Sequence, residues 1–146
     1  MEADFNKRYQ TLLVLWFGLL MSVVMYFIFS IVAPAINDQP GTQPNSILVI
    51  TLMVLGFLLV MVSFPVKSKL LRRSVEKQDL KLVQQSLVIA CAICEISALL
   101  GLLERFLIGY RYSYLLFLFS AVGIALHFPR RTQLQNAGYR NQAQLH

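Results

Sequence analysis

The chain has 146 residues, of which 57% are hydrophobic and only 14% are charged, with a formal net charge of +6. Average soluble domains carry about 25% charged residues, and a globule of this size has too little interior to bury so much apolar surface. The composition therefore excludes an ordinary soluble domain and a disordered chain, and it indicates a single membrane domain.

Four apolar runs follow one another along the chain, and we predict membrane-spanning helices over about 11–33, 46–66, 83–103 and 110–128. A helix rises about 1.5 Å per residue, so about 20 residues cross the ~30 Å hydrocarbon core of a bilayer. The runs lack the two-residue alternation of a membrane barrel. We therefore expect an all-α polytopic membrane protein, a single four-helix domain built from two hairpins.

The basic residues between the runs indicate how these helices are oriented. Segment 67–82 carries six Lys or Arg residues, whereas 34–45 carries none. Since basic residues stay in the cytoplasm, we expect both termini there, which places eleven of the 13 Lys and Arg residues inside. The mixed charges of segment 67–82 favour continuation of the second helix into water. The tail over 129–146 is expected to be cytoplasmic and poorly ordered, and a bacterial inner membrane fits the pattern best.

This topology also explains the basic charge without a nucleic-acid partner. The two cysteines, Cys91 and Cys94, lie in an apolar run and are followed by Glu95 rather than by the His of a haem-attachment motif. Zinc would need two further ligands, and neither His127 nor His146 has the required spacing. We therefore interpret the cysteines as small packing residues and expect no metal and no cofactor.

Glu95 is the one acidic residue inside a predicted span. An ionised carboxylate in the middle of a membrane costs about 2.5–3.5 kcal/mol on insertion scales, so such groups face other helices, find a partner or stay protonated. The sequence offers neutral hydrogen-bond partners within the spans. They are Thr51, Ser63, Ser97 and Ser120.

Small residues surround Glu95 at helical spacing, and they predict a close helix–helix contact with Glu95 at its edge. These predicted packing residues are Ala90, Cys94, Ser97, Ala98 and Gly101.

Two further titratable residues are candidate accessory groups. Glu104 precedes Arg105 at the outer end of the third span, where it either anchors the helix or serves as a port for Glu95, about 13–14 Å away along the helix. His127 lies where the last helix ends before Pro129. It is either a structural residue or a pH-responsive one.

One segment resembles a known family. The pattern Ala92-x-x-Glu95-x-x-Ala98-x-x-Gly101-Leu102 is similar to the carboxylate helix of subunit c, the proteolipid of rotary ATP synthases. The resemblance covers residues 92–102 and implies that Glu95 binds an ion. The chain departs from that family in its two additional spans and in its second span, which has Gly56 as its one glycine.

Two functions of different classes remain open. In the first, the protein is an ion-handling subunit in which Glu95 takes up and releases a proton. In the second, it is a structural or accessory subunit of a larger membrane complex, and protonated Glu95 is a hydrogen-bond donor between helices. A small transporter that works as an oligomer is a third. The expected partners are the lipid bilayer and either other membrane subunits or further copies of the chain. The absence of zinc-protease, P-loop and G-x-S-x-G motifs predicts no catalytic activity.

Overall fold

The computed structural model describes residues 2–32, 46–108 and 113–136. It contains four main helices, α1 (Glu2–Val32), α2 (Ser46–Lys77), α3 (Leu80–Ile108) and α4 (Tyr114–Leu126). A short helix over 131–136 follows them. The described residues include no strand, and the predicted all-α class is confirmed.

Three of the helices, α1, α2 and α3, are long and apolar enough to cross a membrane. Helix α4 is apolar but has 13 residues, which at 1.5 Å per residue gives about 20 Å. The predicted fourth span began at 110, and residues 109–112 lie outside the described part of the chain. The connection over 34–45 and the tail beyond 136 lie outside it as well. The count of four spans therefore stays a prediction.

The second helix continues well beyond its apolar run, as its charge pattern predicted. It ends at Lys77, and a tight turn leads into α3. Gln78 has a φ of 52°, and the Asp79 N–H donates to the Ser74 carbonyl oxygen over 3.1 Å, which closes the end of α2. The Asp79 carboxylate then accepts the Lys81 backbone N–H over 2.8 Å and caps the start of α3. Helices α2 and α3 are thus fixed as an antiparallel hairpin.

Helix α3 lies at the centre of the bundle and contacts each of the other three helices. Helix α4 packs against both members of the α2–α3 hairpin, whereas α1 packs on α3 and α4.

Close approach of α3 and α4 depends on small residues on both helices. A Cβ atom at Gly101 would lie 2.9 Å from the Leu116 Cβ atom, and one at Gly123 would lie 2.9 Å from the Cys94 Sγ atom. Both distances are shorter than side chains tolerate, so α4 can reach this position only because these sites lack a side chain.

The start of the tail is ordered, which corrects the expectation for this part of 129–146. Leu134 is 2% exposed and belongs to the hydrophobic core. The Arg131 guanidinium lies 4.8 Å from the centre of the Tyr9 ring, within the range of a cation–π contact. One apolar residue and one cation therefore hold a polar segment on the bundle.

We predict that Gly123→Ala destabilises the protein by about 1–3 kcal/mol, the usual cost of overpacking a filled interior. Gly18→Ala is the matched control, because a Cβ atom there meets nothing within 4 Å. The measurement is thermal unfolding of both purified variants in the same detergent. An equal effect of the two substitutions would contradict the close α3–α4 contact.

Candidate functional site

The carboxyl group of Glu95 lies between α1 and α3. The side chain is partly buried, and the Ser22 hydroxyl of α1 donates to the Glu95 Oε1 atom. The same hydroxyl lies 2.7 Å from the Leu19 carbonyl oxygen in its own helix. Glu95 thus has a neutral interhelical partner.

Ser22 was not among the four partners that the sequence suggested for Glu95. Thr51 donates to the Ile47 carbonyl oxygen of its own helix, and Ser63 bonds elsewhere, as described below. The Ser97 and Ser120 hydroxyls are buried without a hydrogen-bond partner among the described residues.

The Ser22 contact has two arrangements that depend on protonation. A serine hydroxyl carries a single proton, so it cannot donate to Leu19 and to Glu95 at once. Protonated Glu95 donates to the Ser22 oxygen and leaves the Ser22 proton on the Leu19 carbonyl oxygen. Ionised Glu95 accepts the Ser22 proton instead. Gain or loss of one proton at Glu95 therefore reorients the Ser22 hydroxyl.

The described residues around Glu95 include few oxygen ligands. Hard cations such as Ca²⁺ and Mg²⁺ need about six oxygen ligands, whereas the Glu95 carboxyl has one hydroxyl partner. In the three described ranges, no cluster of three or more His, Cys, Asp or Glu side chains could hold a metal.

The five predicted packing residues of α3 are all buried. Two of them contact α2 and α4: the Cys94 thiol is 3.4 Å from the Ser63 hydroxyl of α2, and Gly101 faces Leu116 of α4. Glu95 instead faces α1. The small residues and the carboxyl group therefore serve different helix contacts of α3. The other packing residues are Ala90, Ser97 and Ala98.

A second polar cluster joins α2, α3 and the end of α4. His127 is 1% exposed, its Nε2 atom lies 2.8 Å from the Ser63 hydroxyl oxygen, and its ring lies 4.6 Å from that of Phe64. The Lys67 ammonium donates to the His127 carbonyl oxygen over 3.0 Å. The sequence placed His127 near the membrane surface, and its burial among these groups indicates a structural contact.

Ser63 is the centre of this cluster. Its hydroxyl donates to the Val60 carbonyl oxygen over 2.6 Å, so its oxygen is free to accept from both Cys94 and His127. That arrangement requires the proton of the His127 ring to be on Nε2. The sequence reasoning did not single out Ser63 with Lys67, although their spacing of four residues places both on one face of α2.

Glu104 is fully buried, and neither of its carboxyl oxygens has a hydrogen-bond partner among the described residues. Arg105 does not pair with it, since the Arg105 Nε atom donates to the Ser30 carbonyl oxygen over 3.4 Å. Nine residues are about two and a half helical turns, so Glu104 and Glu95 lie on opposite sides of α3. This placement disfavours Glu104 as a port for Glu95.

Comparisons of the chain with protein-family models, curated proteins and solved structures return no match. The candidate site therefore rests on the geometry of Glu95 and Ser22.

Replacing Ser63 with Ala should destabilise the protein by about 1–3 kcal/mol, because Cys94 and His127 lose a buried hydrogen-bond partner. Thr51→Ala is the control, since Thr51 is exposed and bonds within its own helix. Its expected effect is within about 0.5 kcal/mol. Unfolding temperatures in one detergent provide the comparison, and equal values for the two variants would show that the cluster contributes nothing.

Proposed function

We propose that this chain is a four-span membrane protein, with both termini in the cytoplasm, that takes up and releases a proton at Glu95. The observation that carries the proposal is the Ser22–Glu95 contact, because a single proton determines which group donates. The Glu95 side chain is partly exposed at the surface of the bundle, so a neighbouring chain or subunit can reach it, in contrast to fully buried Glu104.

The contacts at one end of the bundle support four crossings. Arg131 of the tail lies on the Tyr9 ring of α1, so the segments before α1 and after α4 share one end. An even number of crossings returns the chain to that end. Three crossings by the long helices would leave the chain at the opposite end, so we assign the fourth crossing to α4. The basic residues of α2 then favour the cytoplasm for this end.

The proposed mechanism uses neutral groups to stabilise both forms of one carboxyl. Ionised Glu95 is stabilised by the proton that Ser22 donates. When Glu95 binds a proton, it donates to Ser22, and the Ser22 hydroxyl turns back to the Leu19 carbonyl oxygen. One carboxyl alone makes no route across a membrane. A second copy of the chain or another subunit, docked at the open side of Glu95, would complete the route.

A structural or accessory role in a larger membrane complex is the second candidate. This role is favoured because few of the described polar contacts join α1 to the other helices, so each of them matters for holding α1 in place. Besides the Ser22–Glu95 contact, the Trp16 indole N–H donates to the Ile124 carbonyl oxygen over 2.7 Å and the Arg105 Nε atom donates to the Ser30 carbonyl oxygen over 3.4 Å. In this role Glu95 stays protonated and fastens α1 to α3, which is worth about 0.6–2 kcal/mol in a membrane.

The two roles differ in what Glu95→Gln does to proton movement. Membrane vesicles from cells that produce the protein, loaded with a pH-sensitive dye, should show a proton flux that vesicles without the protein lack. Gln cannot exchange a proton, so Glu95→Gln should abolish the flux. Glu104→Gln is the matched control, because it alters the carboxyl on the opposite side of α3, and it should retain the flux.

Absence of a flux in wild-type vesicles, or an equal flux in Glu95→Gln, would contradict proton handling. A loss of stability in both Glu95→Ala and Ser22→Ala without any flux would favour the structural role.

The four-span topology predicts which positions an impermeant thiol reagent reaches from outside intact cells. Asp38→Cys, between the first two spans, should be labelled. Asn136→Cys, in the tail, should be labelled only after the cells are opened. Native Cys91 and Cys94 are buried and provide the unlabelled background. Labelling of Asn136→Cys from outside would contradict an even number of crossings with cytoplasmic ends.

A further inference from the structure

The part of α2 beyond its apolar run forms a basic surface with two clefts. One cleft is lined by Ser68, Lys69, Arg72, Arg73 and Glu76 and has a volume of about 380 Å³. The second lies between α2 and the tail helix and has the same volume. Arg72 and Glu76 line both clefts.

The second cleft combines apolar and polar walls. Leu71 and Val75 of α2 supply its apolar side, and Gln133 and Asn136 of the tail helix supply polar groups. Val75 is 42% exposed, so an apolar group that entered the cleft would contact it directly. A basic residue next to an apolar wall suits a ligand with a charged head and an apolar stem.

The depth of these residues matches that of lipid headgroups. The apolar run of α2 ends at Val66. At 1.5 Å per residue, Lys69 lies about 4.5 Å and Arg72 about 9 Å further along the helix. Each headgroup layer of a bilayer is about 5–8 Å thick, and Lys and Arg side chains extend towards it along the helix. The cationic ends therefore reach the level of the lipid phosphates.

The charge of the first cleft favours an anion. Lys69, Arg72 and Arg73 face one carboxylate, that of Glu76, which leaves an excess of two positive charges. Arginine binds phosphate through two parallel hydrogen bonds, and lysine adds a compact positive charge. Basic residues next to a membrane-spanning helix attract anionic lipids with about 1 kcal/mol each.

We propose that the two clefts beside Arg72 form a binding site for an anionic phospholipid of the inner leaflet. Lys69 and Arg72 contact the headgroup phosphate, and Leu71, which lies on the membrane side of Arg72, contacts the glycerol and the start of the acyl chains. Inorganic phosphate would contact Lys69 and Arg72 but has no apolar part to contact Leu71. The site is independent of proton handling at Glu95, so either proposal can fail without the other.

The test measures lipid binding by thermal unfolding of the whole protein in a neutral detergent. Phosphatidylglycerol should raise the unfolding temperature saturably, since a ligand that binds only the folded state stabilises it. Phosphatidylcholine and inorganic phosphate at equal concentration should not. The double substitution Lys69→Gln with Arg72→Gln should weaken phosphatidylglycerol binding about tenfold or more.

The matched control removes the same charge from the same helical hairpin. Lys77→Gln with Lys81→Gln alters two basic residues that line neither cleft, and it should change binding less than about twofold, well under the 1.4 kcal/mol of a tenfold effect. If both double substitutions weaken phosphatidylglycerol binding equally, the lipid is attracted by the overall positive charge and not by a defined site, which would overturn the proposal. An equal shift with phosphatidylcholine or with phosphate alone would also overturn the proposal. If the Lys69→Gln and Arg72→Gln double variant does not fold, Arg72→Gln is measured by itself. Phosphatidylglycerol binding as strong as that of the wild type would then contradict the site.

Discussion

The lack of water inside a bilayer is the constraint on which the rest of this structure depends. Backbone groups in lipid must bond within the chain, which restricts the described segments to helices. The same demand applies to side chains. Ser30, Ser63 and Ser86 each donate to a carbonyl oxygen three residues earlier in the same helix. A serine hydroxyl that donates its proton within its own helix can still accept hydrogen bonds from a neighbouring helix. Ser63 accepts from Cys94 and His127 in this way.

Helix α3 separates two different kinds of contact. One side of it carries the small residues against which α2 and α4 pack closely, and steric fit fixes that part of the bundle. Another side of it presents Glu95 to α1, where a hydrogen bond between two polar groups contributes to the contact. In the proposed function, a change of protonation at Glu95 acts on this α1 contact, where the Ser22 hydroxyl lies. We regard this separation as the physical basis of the proposed proton handling.

The sequence was sufficient to predict the helical class, because composition and the length of the apolar runs encode it directly. It was not sufficient to identify Ser22 as the partner of Glu95. That pairing depends on how α1 is rotated and shifted against α3, and neither quantity follows from hydropathy. The tail shows a related difficulty: its polar composition suggested disorder, but Leu134 anchors its first part in the hydrophobic core. The sequence placed His127 at the inner membrane interface but could not show its burial, since that depends on Ser63 and Phe64 from a distant part of the chain.

Infrared difference spectroscopy of the carboxyl groups tests the central claim most directly. In reconstituted protein that is acidified stepwise, we expect a carbonyl band from a protonated carboxyl that fails to appear in Glu95→Gln and still appears in Glu104→Gln. The band should disappear reversibly as the pH is raised, and it should shift in Ser22→Ala because its hydrogen-bond acceptor is removed. A spectrum in which Glu95→Gln removes no such band would contradict the account, since Glu95 would then hold no exchangeable proton.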